Sequence, residues 1–320
     1  MLSDERTQLL ASVATLYYDD GLTQLEIARR TGYSRSAISR LLTEAKDRGI
    51  VEVRIHYPLR RAVELERKLQ STFELHEVCV ISAPNLEYDK MLRLLGRAGA
   101  SYLEDHLPNH GVLGVSWGTA VYEVANALRA RNAPDLEVVQ MIGAVGGGDP
   151  LIDGPELARS LAATLGASYA TLHAPVIVDD AKTRDALLSE RNVVHAIQLA
   201  RKVDLAIVGI GTVKPELSSF VRAGYLSAKE MKAIQAQGAV GDICGTHFNP
   251  GGEILDIDLH NRIVGISLQE LRASQGTVLG VAGGAKKATA ILGALRGSFL
   301  DVLVTDAAAA STILTEMRGD

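Results

Sequence analysis

Cysteine is scarce in this chain. Its 320 residues hold two, Cys79 and Cys244, far apart, with no CxxC and no third ligand beside them. That spacing supports neither a disulfide framework nor a cysteine zinc site. Aromatics reach only 4%, with one tryptophan. No window approaches the roughly 18 to 20 apolar residues of a membrane helix. Asp4, Glu5 and Arg6 stand where a secretory leader would turn from basic to apolar, so a cytoplasmic protein with no membrane partner is expected. Neither GxGxxG nor GxxxxGK[ST] follows a candidate strand, which leaves a nicotinamide or nucleotide-triphosphate enzyme without support, and no cofactor is expected. The remaining composition, 47% hydrophobic and 22% charged, excludes a mostly disordered chain.

A net charge of -5 argues against a polyanionic partner, yet the average hides a local bias. Between Arg29 and Arg54 lie seven basic residues against three acidic ones, whereas the chain beyond residue 60 is acidic. A protein charged this way should touch DNA at one end only.

The first sixty residues give that end a shape. Leu9, Leu10, Val13, Ala14, Leu16 and Tyr17 mark one face of a first helix over 5–18. Thr23-Gln24-Leu25-Glu26 fits a capping box that starts a second, which ends near Thr31-Gly32. Ser34 can cap a third helix from Arg35. Ala37, Ile38, Leu41, Leu42 and Ala45 form its inward stripe, leaving Arg35, Ser36, Ser39, Arg40 and Thr43 outside. A helix of this size fits a major groove about 12 Å wide, where Arg pairs with guanine and Ser or Thr with bases and phosphates. A generic three-helix bundle shares any one of these features. Their coincidence points to DNA reading by those five residues. Val51, Val53 and Ile55 alternate with polar neighbours as a half-buried strand over 51–56.

Pro58 interrupts that strand, and 59–75 reads as an amphipathic helix that connects or pairs subunits. DNA-reading heads of this size work as symmetric pairs, so an oligomer is expected. The domains are therefore drawn as 1–57, a DNA-binding domain, 58–76, a connecting helix, and 77–320, an effector domain. In the last, strand and helix patterns alternate: strands at 78–81, 112–117, 138–142, 172–178, 204–210, near 254–266, 278–282 and 301–305. Helices are expected at 88–107, 119–130, 183–201, 227–237 and 286–296. Apolar runs such as Leu205-Ala206-Ile207-Val208 suit a sheet covered by helices on both faces.

Four of these strands end in glycine. Gly114-Val115-Ser116-Trp117-Gly118-Thr119 opens a helix whose free N-H groups and hydroxyls can hold phosphate or carboxylate, with phosphate preferred. Gly283-Gly284-Ala285-Lys286-Lys287 repeats the arrangement with two cations, and Gly146-Gly147-Gly148 and Gly209-Ile210-Gly211-Thr212 do so without them. Such loops converge on one crevice at the carboxyl ends of the strands. Together they suggest a phosphorylated small ligand.

Gly114-x-Ser116-x-Gly118 also matches a hydrolase nucleophile elbow, with Asp242 or Asp256 and His260 completing a triad. Too few strands precede it, and His110-Gly111 is a poor oxyanion loop. Trp117 packs or serves as a ligand platform. Asp256, Asp258 and His260 alternate, which places them on one face of an extended segment, where they recognise ligand hydroxyls, hold a hard metal or stay solvated. Asp242 either accepts sugar hydroxyls or caps a turn. His247 and Asn249 look like turn residues, and Cys244 a packed one. The rival to a sensor is a sugar-phosphate isomerase or deaminase using Asp242 and His260.

These motifs resemble the SorC family of bacterial transcriptional regulators, which includes deoxyribonucleoside regulators. The similarity rests on Leu16-Tyr17-Tyr18, Gln24-x-x-Ile27-Ala28, Ser34-Arg35-Ser36-Ala37-Ile38-Ser39-Arg40-Leu41-Leu42, the Gly114 to Thr119 loop, Gly241-Asp242-Ile243-Cys244 and Val281-Ala282-Gly283-Gly284, and spans nearly the whole chain. It implies an α/β protein: an N-terminal helix-turn-helix domain, then a Rossmann-like, three-layer effector domain of the sugar-phosphate isomerase/deaminase type. It further implies a homo-tetramer that is no enzyme, bound to double-stranded operator DNA and modulated by a phosphorylated sugar or polyol. Effector residues are expected at Ser116, Trp117, Gly118, Thr119, Gln140, Gly147, Asp242, His260, Gly283, Gly284, Lys286 and Lys287. Some members hold deoxyribose phosphate as a Schiff base on a lysine after Val-Val-Gln. Here Ile142 stands at that position, so an imine cannot form there and a noncovalent effector is expected.

Overall fold

The computed structural model describes residues 2–51, 59–82, 84, 86–146 and 150–317, with side chains from Arg6 onward. Most of the strand expected over 51–56, together with Pro58 and Gly147, lies outside them. The chain divides into two compact units, Met1–Pro58 and Leu59–Asp320.

In the first, α1 (Leu2–Tyr18), α2 (Gln24–Thr31) and α3 (Arg35–Asp47) enclose Leu10, Val13, Ile27, Ile38, Leu41 and Ala45. The capping box forms: the Thr23 amide donates to Glu26 Oε2 at 2.8 Å and the Glu26 amide to Thr23 Oγ1 at 3.3 Å. Gly32, at a φ of 76°, ends α2 in the left-handed region that favours glycine. Two residues on, Ser34 Oγ accepts the Ala37 amide at 3.1 Å and opens α3. Helix, turn and helix are thus set by three short local signals.

The second unit begins with a strap. The Ala62 amide donates to Val80 O at 2.8 Å and the Ser82 amide to Arg60 O at 2.6 Å, so residues 60–62 run antiparallel to β1 (Glu77–Ile81). The next helix, α4 (Val63–Phe73), carries Glu66, whose buried Oε1 accepts the Val80 amide at 2.9 Å and Arg61 Nε at 2.7 Å. After β1 come α5 (Tyr88–His106), β2 (His110–Val115), α6 (Thr119–Ala127) and β3 (Asp135–Gln140). Then follow α7 (Gly154–Leu165), β4 (Ser168–Ala170), α8 (Ala181–Leu188), α9 (Arg191–Ala200) and β5 (Leu205–Gly209). Next are α10 (Ser219–Arg222), α11 (Ala228–Ala236), the hairpin β6 (Gly241–Ile243) and β7 (Thr246–Phe248), and α12 (Leu268–Ala273). The unit closes with β8 (Thr277–Val281), α13 (Ala288–Arg296), β9 (Val302–Asp306) and α14 (Ala307–Glu316).

Seven strands form one parallel sheet in the order β1-β9-β8-β5-β2-β3-β4. Successive residues face opposite sides: Leu205 and Ile207 pack with α5, α6 and α7, while Ala206 and Val208 join the core of α9, α11 and α13. That makes three layers. The chain leaves β2 outward through β3 and β4, then returns to β5 on the other side of β2. Such a reversal opens a crevice at the carboxyl ends of the two strands. No helix among the described residues is long and apolar enough to cross a membrane.

Several expected elements fold otherwise. The strand expected at 172–178 carries only isolated bridges at Pro175 and Ile177, since Pro175 has no amide to donate. Ladder pairing with β3 is made by β4 instead. The helix expected at 183–201 breaks at Ser189-Glu190, where Glu190 turns extended, with φ −68° and ψ 136°. No strand spans 254–266. Asp258–Arg262 is a 3-10 turn, with Asp258 Oδ2 and Arg262 Nε 3.5 Å apart, so Asp256, Asp258 and His260 do not share an extended face. Helices α7, α10, α12 and α14, strand β4 and the β6–β7 hairpin are not among the expected elements.

Candidate functional site

Two surfaces are equipped to bind. On the first unit, Arg35, Ser36, Ser39, Arg40 and Thr43 are all exposed along α3. Arg29, Arg30, Arg35 and Arg40 have no carboxylate within ion-pair distance among the described residues, whereas Arg6 and Arg48 both pair with Glu44. Charge is thus left unneutralised along the exposed side of the turn and α3. The hydroxyls differ. Ser34 Oγ and Ser36 Oγ lie 3.0 Å apart, and Thr43 Oγ1 donates back to Ser39 O at 3.1 Å, so its proton is already spent.

On the second unit the crevice lies at the β2/β5 reversal. Its walls are Ser116, Trp117, Gly118, Thr119 and Ala120 after β2, Gly209 at the end of β5 with Ile210 and Gly211 beyond it, Ser219 and Phe220 of α10, Asp242 and Cys244 of the hairpin, and Lys287. Register brings the first two groups together. Val115 pairs with Ile207, the Ser116 amide donates to Ile207 O at 3.1 Å, and the Gly209 amide reaches Ser116 Oγ at 3.4 Å. Gly118 is the N-cap of α6 at a φ of 110°, a conformation side chains avoid, and no side chain caps the helix. The first amides of α6 therefore remain free to bind an anion. Gly211 is fixed by contact: a Cβ there would sit 1.9 Å from Asp242 Oδ1, and its amide donates to Asp242 O at 2.8 Å.

Asp242 and Lys287 supply the charge. Burial raises the Asp242 carboxyl to about 6, against the pull of Lys287 and of a hydrogen bond from the Gly245 amide. Burial also lowers the Lys287 amine to about 8, with Asp242 opposing and Arg222 reinforcing. Lys287 Nζ donates to Ile210 O at 2.8 Å. Cys244, pushed up to about 12 by burial, stays a thiol. With Gly245 it makes the two-residue turn of the hairpin, φ 49° and 75°. Trp117 meets Phe220 edge to face, centroids 5.4 Å apart, and forms an aromatic wall.

Of the twelve effector residues expected from sequence, the crevice gathers Ser116, Trp117, Gly118, Thr119, Asp242 and Lys287. Gln140 is fully buried and committed to backbone, donating to Ile142 O at 2.7 Å and accepting the Leu172 amide at 2.9 Å. His260 is not among the lining residues. Its Nε2 accepts the His247 amide at 2.9 Å and no hydrogen bond joins it to Asp242 among the described residues, although the Asp242 charge acts on it. Gly283 packs against Leu95 and Asp306, the Gly284 amide donates to Asp306 Oδ1 at 2.6 Å, and Lys286 is exposed. Sequence reasoning passed over Ser219 and Phe220, and read Cys244 as packing alone. Gly209 and Gly211 carried a signal in the glycine-ended strand. No group of three or more His, Cys, Asp or Glu among the described residues is arranged to hold a metal.

Comparison with known proteins decides the class. Residues 57–315 match the Sugar-bind family, a sugar-binding domain, and residues 13–62 match the MarR family. The chain is 31% identical over 313 residues to the deoxyribonucleoside regulator of Bacillus subtilis (strain 168), covering 98% of this chain and 99% of that one. It is 35% identical over 310 residues to the transcriptional regulator LsrR of Enterobacter sp. (strain 638), covering 96% and 93%. The full-length sorbitol operon regulator SorC from Klebsiella pneumoniae has the same fold at a TM-score of 0.73 and 28% identity, covering 97% of this chain and 99% of that chain. This chain belongs to the SorC family. As a SorC-family protein it is a transcriptional regulator and not an enzyme, with DNA as the partner of its helix-turn-helix and a sugar as the ligand of its larger domain.

Proposed function

We propose that the protein is an operator-binding repressor of carbohydrate or polyol catabolic genes, released by a phosphorylated sugar or polyol held noncovalently in the β2/β5 crevice. One observation carries the ligand class: the uncapped N-terminus of α6 opens into the same crevice as Lys287. Backbone donors and one amine together suit a phosphate, while Asp242 suits sugar hydroxyls. Arg35, Ser36, Ser39 and Arg40 read base edges of double-stranded DNA, with Arg40 and Arg35 left free by the pairing of Glu44 to Arg6 and Arg48. Thr43 contributes contact surface. A homo-oligomer, in this reading a tetramer, presents heads in pairs to half-sites about 34 to 36 Å apart. The ligand changes DNA affinity only by as much as it prefers one arrangement of those heads over the other.

Thermal stabilisation of the full chain by pentose, hexose and polyol phosphates, each beside its unphosphorylated counterpart, tests the reading. Stabilisation by phosphorylated members alone, with weaker binding to a duplex selected from a random pool, is the expected result. A response to neutral sugars alone removes the phosphate, and tighter DNA binding with ligand removes the repressor.

A further inference from the structure

Arg61 fastens the strap to the second unit. Its Nε donates to Glu66 Oε1 at 2.7 Å and its Nη2 to Val78 O at 3.2 Å. Glu66 is buried, and the same Oε1 takes the Val80 amide at 2.9 Å, so one carboxylate oxygen clasps strap and β1 together. Without Arg61 that carboxylate would be a buried charge lacking its cation, so the pairing resists release of the strap. The strap lies directly after Pro58, where the chain leaves the DNA-reading unit.

From the clasp to the crevice the hydrogen bonds run unbroken. Val80 and Ile81 pair with Thr305 and Asp306 of β9. Asp306 is buried, its Oδ1 accepting the Gly284 amide at 2.6 Å and its Oδ2 the Ala308 amide at 3.2 Å. The Lys287 amide donates to Gly284 O at 2.9 Å, and Lys287 lines the crevice. The fit is close, since a Cβ on Gly283 would sit 2.8 Å from Asp306 Oδ1. Opposite Val80, Thr305 Oγ1 is buried with no hydrogen-bond partner among the described residues. An unpaired buried hydroxyl favours any second arrangement of β9 that pairs it, and a two-state element is what coupling between distant sites requires. We propose that the Arg61–Glu66 clasp is the joint through which occupancy of the crevice reaches the DNA-reading unit. A ligand that shifts the Gly284–Lys287 loop shifts β9, β1 and the strap in turn. The inference rests on the phosphosugar reading of the crevice and adds the route by which the ligand acts on DNA.

Fluorescence anisotropy of the full chain on a duplex selected from a random pool tests the joint, with and without ribose 5-phosphate, fructose 6-phosphate or sorbitol 6-phosphate. Calorimetry follows the binding of each sugar phosphate itself. In the unmodified protein the most effective of the three should weaken DNA binding about tenfold, a coupling of ordinary size. Arg61→Gln should bring that ratio to within about twofold of one, while the sugar phosphate binds within about threefold of its former affinity. A merely structural role would lower both affinities and leave the ratio alone. Arg61→Gln combined with Glu66→Gln keeps an acceptor for the Val80 amide without an unpaired charge. It should lose the ratio equally, and it stands in should Arg61→Gln fail to fold. An undiminished ratio in these variants, or a ratio lost only together with sugar-phosphate binding, overturns the joint and leaves the phosphosugar reading standing. If none of the three compounds alters DNA binding by the unmodified protein, release by a sugar phosphate falls and the joint with it.

Discussion

The two binding surfaces are built in opposite ways. The proposed DNA-reading face comes from one stretch of chain, Arg35 to Thr43, and its five members are exposed in front of the buried α3 stripe. The crevice draws on five separate segments between Ser116 and Lys287, and its polar members are buried or half-buried, Ser116 and Lys287 each with a backbone partner. A contiguous exposed face tolerates substitution without loss of fold, because its contacts are made to solvent. A crevice assembled from distant strand ends does not, because each residue there also holds a neighbour in place. Changes in the crevice should therefore cost stability and ligand together, and changes on the face should cost DNA affinity alone.

Gly211→Ala should break the crevice most severely. The added Cβ would fall 1.9 Å from Asp242 Oδ1 and 2.6 Å from its Cγ, so the whole carboxylate would have to leave its place in the crevice. Overpacking of this kind costs about 3 kcal/mol. Chemical denaturation should register that loss, and stabilisation by sugar phosphates should vanish while DNA binding by the folded fraction persists. Retained stabilisation would mean that Asp242 is dispensable to the site.

Acid should act on the same region next most strongly. His247 and His260 are both pushed down to about 4, His247 by burial and His260 by burial and then by His247. Both sit below the ordinary value, so the unfolded chain binds more protons between about pH 6.5 and 4. Their contribution is complete above pH 6.5 and disappears as pH falls through that window, about 3 kcal/mol for the buried His247. Asp242 works the other way. With its carboxyl raised to about 6, the folded state takes up its proton first, and stability is regained as pH falls from 6 toward 4. Asp242→Asn should therefore lose stability more steeply than the unmodified protein between pH 6 and 4.5, read from urea midpoints. Parallel curves would show that Asp242 ionises normally.

This contrast also governs what could be read from sequence. The head was legible because its signals lie within a few residues of what they control: Thr23 with Glu26, Gly32 at the turn, Ser34 with Ala37. In the crevice, the glycine-ended strands were legible for the same local reason. Phe220 and Ser219 were not, since α10 is one turn long and has no period to detect. Gln140 was expected at the ligand from resemblance, but its two amide atoms are consumed by Ile142 and Leu172, pairings no local pattern encodes. The β6–β7 hairpin escaped because Cys244-Gly245 fills a turn where Asn-Gly or Asp-Gly would have announced it. Helix α7 did carry a signal, with Asp153 accepting the Gly154 amide as N-cap and Leu157, Leu161 and Leu165 on one face.

On the DNA-reading face, Arg40→Ala should cost about 2 kcal/mol of binding to a selected duplex, close to thirtyfold, with relaxed preference at one base position. Because Arg40 is exposed and has no ion-pair partner among the described residues, the unfolding midpoint should stay within about 0.5 kcal/mol of the parent. Unchanged affinity and base preference would take Arg40 out of the reading set. An equal loss of stability would instead make the face as interdependent as the crevice.

Thr43 sets the lower end of the same scale. It shares the exposed side of α3 with Arg40, yet its hydroxyl proton goes to Ser39 O within the helix. Such back-bonding leaves only lone pairs and a methyl group toward DNA, so no donor is lost when the hydroxyl is removed. Thr43→Val keeps the β-branched shape and should change affinity for the selected duplex by less than about 0.5 kcal/mol. A loss as large as that of Arg40→Ala would require the hydroxyl to leave Ser39 on binding. The helix would then rearrange its hydrogen bonds as it meets DNA, and the face could no longer be regarded as a surface formed in advance.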